Sequence, residues 1–141
     1  MKPAILATDP GDVTQNWVLF GSQRTLLRGE EGDMLAWEQA VLDAQEHYSK
    51  KAGLVCIIES FIMYPGVTKL YQRFWTAENI GVMQYICARE QIPVVFQKPG
   101  ERKIISDDFL KIKGLWVKNQ HIRQALKHAL VYQKREAAGR A

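Results

Sequence analysis

The sequence has little cysteine and no long apolar run. Its two cysteines, Cys56 and Cys87, stand alone inside apolar segments and form no CxxC pair. This spacing favours buried free thiols over a disulfide or a zinc site. No apolar stretch approaches the roughly 20 residues that a membrane span needs, and the N-terminus lacks the charged, apolar and small-residue regions of a signal peptide. We therefore expect a cytoplasmic protein.

Internal repeats, low-complexity tracts and linkers are also missing. The 141 residues, 47% of them hydrophobic, are enough for one compact domain with a substantial core. We expect residues 1–141 to form a single domain.

A strong excess of one charge is absent from the chain as a whole, but the charges are unevenly distributed. Residues 1–101 contain 9 Lys and Arg against 12 Asp and Glu, a net charge of −3. Residues 102–141 contain 10 Lys and Arg against 3 Asp and Glu, a net charge of +7. A basic segment of this kind suits a surface that faces phosphate, although a solvated basic face has the same composition.

Apolar periodicity and turn residues predict a mixed α/β chain. The first three predicted strands form a meander over 4–9, 16–20 and 24–28. Two further strands, 54–59 and 92–97, are apolar enough to be covered on both faces. Helices are predicted over about 34–50, 77–90, 107–112 and 119–135, with Asp33 and Asn119 as candidate N-caps.

Two of the predicted strands end on a carboxylate: ILATDPG reaches Asp9 and LVCIIE reaches Glu59. If these strands pair in parallel, both acids lie at the same carboxyl edge of the sheet, where open α/β sheets bind ligands. Adjacent carboxylates repel each other unless a cation lies between them, so a hard ion such as Mg²⁺ is expected. Alternatively, Asp9 only opens the Asp-Pro-Gly turn.

The last predicted helix carries polar side chains along one border of its apolar face. At 100° per residue, His121, Gln124 and His128 lie within about 60° of one another. One side of this helix can therefore pack on the sheet while its border reaches the carboxylates. The alternative is an amphipathic surface helix with solvated polar residues. A separate transition-metal site of His121 and His128 is disfavoured, because the two residues are roughly 10.5 Å apart along the helix axis.

In this order, the motifs resemble the RuvC-like Holliday junction resolvases, most of all the phage-encoded branch, within the RNase H-like nuclease superfamily. ILATDPG with TQNWVLF resembles the first two strands of the family, VCIIESF the strand ending in its catalytic Glu, and HIRQALKHAL its last-helix motif. The resemblance covers most of the chain. It implies an RNase H-like three-layer α/β fold with a central mixed five-stranded sheet flanked by helices.

The resemblance implies a Mg²⁺-dependent endonuclease, with Mn²⁺ able to substitute, that acts as a homodimer and nicks four-way junctions and other branched DNA in the host cytoplasm. Asp9 and Glu59 would hold the metal. His121 would ligate the metal or would position or deprotonate water. Gln124 stands where the family has Asp, so it would offer the metal a neutral oxygen but could not act as a base.

The same resemblance implies residues that contact DNA. The loop after Glu59 would carry an apolar wedge that opens the junction, with phosphate contacts nearby, and a basic residue would approach the scissile phosphate. The candidate wedges are Phe61, Met63 and Tyr64, the candidate phosphate contacts are Lys69 and Arg73, and the basic residue is Lys103. Otherwise these aromatics pack in the core and Lys103 is a solvated loop lysine.

Gln124 leaves two other functions open. One is a junction-binding protein with weakened catalysis, and the other is an RNase H-like nuclease that acts on flaps or RNA–DNA hybrids. Asp107 or Asp108 would compensate for Gln124 only if their helix approaches the edge of the sheet.

Overall fold

The structure, a computed structural model, describes residues 2–61 and 75–140. Within these residues the strands are β1 (Ala4–Asp9), β2 (Gln15–Phe20), β3 (Leu26–Gly32), β4 (Leu54–Glu59) and β5 (Val94–Gln97). The helices are α1 (Met34–Tyr48), α2 (Trp75–Arg89), α3 (Asp107–Ile112) and α4 (Gln120–Ala137), and a 3₁₀ helix spans Pro99–Ile104. No helix in this part of the chain is long and apolar enough to cross a membrane.

The strands form one mixed sheet in the order β3-β2-β1-β4-β5. The first three pair antiparallel as the predicted meander, while β1 pairs with β4 and β4 with β5 in parallel. The β1–β4 register places Thr8 opposite Ile58. Since Asp9 and Glu59 each follow directly, both carboxylates lie at the same edge of the sheet, as the strand-end pattern predicts.

Each face of the sheet is covered by helices. One apolar cluster joins Leu6, Trp17 and Ile58 to residues of α1 and α2, and the other joins Ile5, Ala7 and Ile57 to residues of α4. The two clusters take alternate residues of each strand, because successive side chains of a strand point to opposite faces. The predicted three-layer α/β fold is confirmed.

Of the strands, β3 differs most from its prediction. The predicted range is 24–28, but the strand begins at Leu26 and continues to Gly32. Arg24 has a positive φ of 64° and its N–H donates to Gly21 O, so it belongs to the preceding turn. Gly29 and Gly32 lie in the extended part of the strand, where helices pack closely against it. A Cβ on Gly29 would lie 2.9 Å from Ile122 Cγ2 of α4, and one on Gly32 would lie 2.7 Å from Ala36 Cβ of α1. Glu31 is thereby carried into the sheet.

The two predicted N-caps are confirmed. Asp33 Oδ1 accepts a hydrogen bond from the backbone N–H of Ala36, and Asn119 Oδ1 accepts from those of His121 and Ile122. Asn119 thereby fixes the first turn of α4. The 3₁₀ helix between β5 and α3 was not predicted, and it places Arg102 beside β4.

Candidate active site

A row of polar residues crosses all five strands at the carboxyl edge of β1 and β4. The strand registers pair Glu31 with Asn16, Asn16 with Asp9, and Glu59 with Gln97, and the adjoining β1–β4 register brings Asp9 beside Glu59. Residues opposite each other in a sheet share a face, so this row lies on the side covered by α4. The apolar cluster under α4 therefore ends in a line of polar groups.

Asp9 is held by the first turn of α4. Its side chain is only 8% exposed, and Oδ2 accepts a hydrogen bond from Nδ1–H of His121 at 2.9 Å. The imidazole of His121 is 65% exposed. With Nδ1 carrying the proton, Nε2 of His121 is left with a lone pair that can accept a proton or bind a metal.

Glu59 is held from two sides. Its Oε2 accepts a hydrogen bond from Nη1–H of Arg102 at 2.7 Å and lies 2.7 Å from Nε2 of His128. The His128 side chain is fully buried, and its Nδ1 lies 2.6 Å from Oε1 of Gln97 on β5. Both contacts use Oε2, which leaves Oε1 of this cleft-lining residue outside these two hydrogen bonds.

Gln97 and Glu59 hold the two ring nitrogens of His128 from opposite sides. Because the ring is fully buried and contacted at both nitrogens, His128 positions the Glu59 carboxylate.

The two carboxylates have opposite pKa shifts. Burial raises the pKa of Asp9, the negative charge of Glu59 raises it further, and the hydrogen bond from His121 only partly offsets these effects. Burial would also raise the pKa of Glu59, but the hydrogen bonds and charges of His128 and Arg102 outweigh it and the pKa is lowered. Asp9 therefore lies near negative charge that is incompletely balanced, which is an environment that favours a cation.

An open cleft of about 780 Å³ lies over this edge. Four predicted site residues line it together: Asp9, Glu59, His121 and Gln124. Three further lining residues, Asn16, Glu31 and Arg102, were missed by the sequence analysis. Arg102 adjoins Lys103 in the same basic segment, and Glu31 was hidden because β3 was predicted to end at residue 28.

Of the remaining predicted site residues, the structure describes Lys103 and Phe61, and neither lines the cleft. Lys103 is not among its lining residues, and its approach to a phosphate stays a prediction. Phe61 follows β4 and is 40% exposed. The other candidate DNA contacts, Met63, Tyr64, Lys69 and Arg73, lie outside the described residues.

Asp107 does not compensate for Gln124. Its Oδ1 lies 2.7 Å from Nζ of Lys127 and 3.7 Å from Nε of Arg123, and the hydrogen bond from Lys127 lowers the pKa of this carboxyl. Neither Asp107 nor Asp108 lines the cleft. The helix α3 therefore places both acids away from the edge of the sheet.

The donor set of the cleft fits a hard divalent cation. Asp9 and Glu59 lie side by side in it, and Asp12, Glu31 and the side-chain amides of Asn16 and Gln124 also line it. Oxygen ligands of this kind are those that Mg²⁺ prefers. Among residues 2–61 and 75–140, no three His, Cys, Asp or Glu side chains converge closely enough to hold a metal by themselves. Mg²⁺ usually keeps several waters and takes one or two carboxylates together with substrate phosphates, so this pair meets the requirement.

The fold is similar to that of solved structures. Thermus thermophilus RuvC in complex with a Holliday junction substrate superposes with a TM-score of 0.73 and 16% identity, over 99% of this chain and 98% of that chain. This protein has the RuvC fold. A second structure of T. thermophilus RuvC gives a TM-score of 0.70 and 17% identity, over 98% of both chains.

Sequence identities this low establish similarity to RuvC in fold only. An RNase H1 isolated from compost has a TM-score of 0.43 and 17% identity, over 89% of this chain and 99% of that chain. The sequence matches no protein-family model and no curated protein.

Mg²⁺ is expected to raise the melting temperature of this protein. The pKa of Asp9 is higher in the folded protein than in the unfolded chain. Protonated Asp9 therefore stabilises the fold at pH values below the unfolded-state pKa, and this stabilisation is lost as pH rises through the folded-state pKa. Ionised Asp9 therefore destabilises the metal-free fold at neutral pH. A cation at ten times its Kd would add about 1.4 kcal/mol, a rise of about 3–6 °C in Tm.

Thermal melts of wild type and Asp9→Asn, with and without Mg²⁺, check this expectation. Asp9→Asn is expected to melt higher than wild type without metal and to gain less from Mg²⁺. Asp43→Asn is the matched control, because Asp43 is exposed on α1 on the other face of the sheet. Equal gains from Mg²⁺ in all three proteins would contradict a site at Asp9.

Proposed function

We propose that this protein is a divalent-metal-dependent endonuclease that nicks Holliday junctions and other branched DNA. The observation that carries the proposal is the meeting of Asp9 and Glu59 at the ends of adjacent parallel strands, in an open cleft crossed by α4. The overall RuvC fold supports the same conclusion, since one solved structure of that fold is a complex with a Holliday junction substrate.

The side chains of the cleft have distinct roles in this proposal. Asp9 and Glu59 would hold a Mg²⁺ or Mn²⁺ ion, to which Gln124 would add a neutral oxygen, and the ion would supply an activated water and stabilise charge on the phosphate. His121, whose Nδ1 is engaged by Asp9, would offer its other ring nitrogen as a proton acceptor. Arg102 brings a fixed positive charge next to Glu59, where it can also contact a phosphate.

The basic C-terminal part of the chain supports a DNA-binding surface that includes Trp116. Trp116 is 41% exposed, with Lys111 Nζ 5.6 Å from its ring centre and the guanidinium of Arg123 at 5.0 Å. Cations around an aromatic ring at the surface suit a backbone that carries phosphates and bases. We assign phosphate contacts to this surface and to Lys103, and the junction wedge to the segment that begins at Phe61.

A homodimer is part of the proposal, because a four-way junction has approximate twofold symmetry and paired nicks need two equivalent sites. Exposed apolar side chains on α2, Val82 at 43% and Tyr85 at 67%, support this helix as the interface. We also propose a phage origin and action in the host cytoplasm. Light scattering that gives a monomer, both free and with junction bound, would contradict the dimer.

The test is cleavage of a labelled immobile four-way junction in Mg²⁺ and in Mn²⁺, with a linear duplex of equal sequence as the control substrate. Wild type is expected to nick the junction symmetrically and to leave the duplex intact. No metal-dependent nick in the junction would contradict the proposal. Faster cleavage of a flap or an RNA–DNA hybrid in direct competition would favour an RNase H-like nuclease instead.

Gln124 supports a second candidate, a junction-binding protein with a disarmed site. Its amide lines the cleft at the position where the sequence resemblance leads one to expect a carboxylate. This candidate is favoured if wild type binds the junction without nicking it and Gln124→Asp alone introduces metal-dependent cleavage.

A further inference from the structure

Glu31 is a carboxylate of the cleft that the last-helix motif does not contain. The β2–β3 register pairs it with Asn16, which in turn pairs with Asp9. Two strand spacings place the Cα atoms of Glu31 and Asp9 roughly 10 Å apart. Both residues point to the α4 face, so their carboxylates can approach a common point above Asn16.

The Asn16 side chain lies between the two acids and is itself incompletely paired. Asn16 is 5% exposed, and its Oδ1 is buried without a hydrogen-bond partner in the described part of the chain. An unpaired buried oxygen is unfavourable, and Asn16 lines the cleft together with Asp9 and Glu31. A cation held between the two acids, or a water bound to that cation, would give this amide a partner.

The Glu31 carboxylate is already tied to the start of α4. Its Oε2 accepts a hydrogen bond from Nδ2–H of Asn119 at 3.2 Å, and Asn119 caps the helix that carries His121 and Gln124. The Glu31 side chain is exposed and has three rotatable bonds, so a bound ion can draw it inward with little rearrangement. The start of α4 and the end of β3 therefore meet at the cleft.

We propose that Glu31 supplies the third carboxylate for a divalent cation, on the Asn16 side of Asp9, in place of the charge that Gln124 lacks. The inference rests on the proposed function for its role in cleavage, but the cation site can be measured without DNA. The sequence resemblance leads one to expect an Asp on α4, and Glu31 on β3 would supply that negative charge instead.

Asp12 is a rival, because it also lines the cleft. Its Oδ1 accepts a hydrogen bond from Thr76 Oγ1, and its backbone oxygen accepts one from Asn79 of α2. These contacts hold Asp12 toward α2 and away from the row of polar residues. Its contribution is tested with Asp12→Asn.

The first experiment measures Mn²⁺ binding to the full chain by calorimetry and by the electron paramagnetic resonance of free Mn²⁺. Glu31→Gln is expected to weaken binding by about tenfold or more, as losses of groups around a metal do. Glu30→Gln is the matched control, because Glu30 pairs with Trp17 and so lies on the opposite face of the same strand. It is expected to leave the affinity within about twofold of wild type.

The second experiment places the carboxylate on α4 instead of on β3. Gln124→Asp added to Glu31→Gln is expected to restore most of the Mn²⁺ affinity, because it returns the carboxylate from α4. Equal Mn²⁺ affinity in wild type, Glu31→Gln and Glu30→Gln would overturn the proposal, as would a loss in Asp12→Asn with none in Glu31→Gln. Circular dichroism confirms that each variant is folded.

Junction cleavage by the same variants separates this inference from the proposed function. Wild type that binds Mn²⁺ through Glu31 but cleaves no junction would refute the nuclease and leave the cation site standing. Wild type that cleaves, with Glu31→Gln cleaving and binding Mn²⁺ equally well, would refute the role of Glu31 and leave the nuclease standing.

Discussion

Asp9→Asn is expected to lower the rate of junction cleavage by about a thousandfold or more. Asp9 is central in the row of polar residues, with Glu59 on one side and Asn16 on the other. The amide keeps the size of the side chain but removes the charge that would hold the cation. Loss of metal-based stabilisation of the transition state is worth several kcal/mol, and about 4 kcal/mol corresponds to a thousandfold change in rate.

Junction affinity is expected to survive the same substitution within about threefold, since phosphate contacts by Lys and Arg supply most of the binding free energy. Single-turnover cleavage and gel-shift titration measure the two quantities on one preparation. Asp43→Asn, on the far face of the sheet, controls for the loss of a surface charge. Cleavage by Asp9→Asn at more than about a tenth of the wild-type rate would show that the metal is held elsewhere.

His128→Ala is expected to lower the free energy of unfolding by about 2–4 kcal/mol. The imidazole is fully buried under α4 and bridges Glu59 to Gln97. Its removal leaves a cavity and deprives two buried polar groups of a partner, each a known source of large destabilisation. Urea unfolding measures the change, and His47→Ala, an exposed histidine on α1, is the matched control.

The pH dependence of stability shows whether His128 acts through its hydrogen bond to Glu59 or only by filling space in the core. Because His128 and Arg102 lower the pKa of Glu59, ionised Glu59 stabilises the fold above its unfolded pKa of about 4.5, and this contribution is lost as pH falls through the folded pKa. His128→Ala is expected to show a smaller loss of stability over that acidic range than wild type. An unchanged pH profile with an equal drop at every pH would mean that His128 acts only by filling space.

Local sequence patterns were sufficient to predict the elements that carry Asp9, Glu59 and His121. Asp9 and Glu59 each end a short apolar run, and such runs form strands wherever they are buried on both faces. Asn119 precedes the periodic apolar face of α4 and caps it as predicted. These signals are local, because each depends on residues only a few positions apart.

The contacts of Glu31 and Arg102 and the complete burial of His128 could not be predicted in the same way. Gly29 and Gly32 look like strand breakers in the sequence, but they carry β3 onward because helices approach closely on both faces. Arg102 reaches Glu59 through a 3₁₀ helix whose position depends on β5 and α4 packing around it. His128 has a polar border position in the helix pattern, and its burial follows from the carboxylate and amide that happen to lie beneath it.

Local patterns in the sequence were therefore enough to predict most of the helices and strands, the two strand-end carboxylates and the cap of the last helix. Hydrophobic periodicity and capping depend on residues that are close together in the sequence, so the sequence is enough to predict the elements that they specify. The additions of Glu31, Asn16 and Arg102 to the four predicted residues of the cleft were visible only in the tertiary structure, because they depend on the register of β3 on β2 and on where the 3₁₀ helix packs. Long-range packing sets those registers, and no local pattern in the sequence records them.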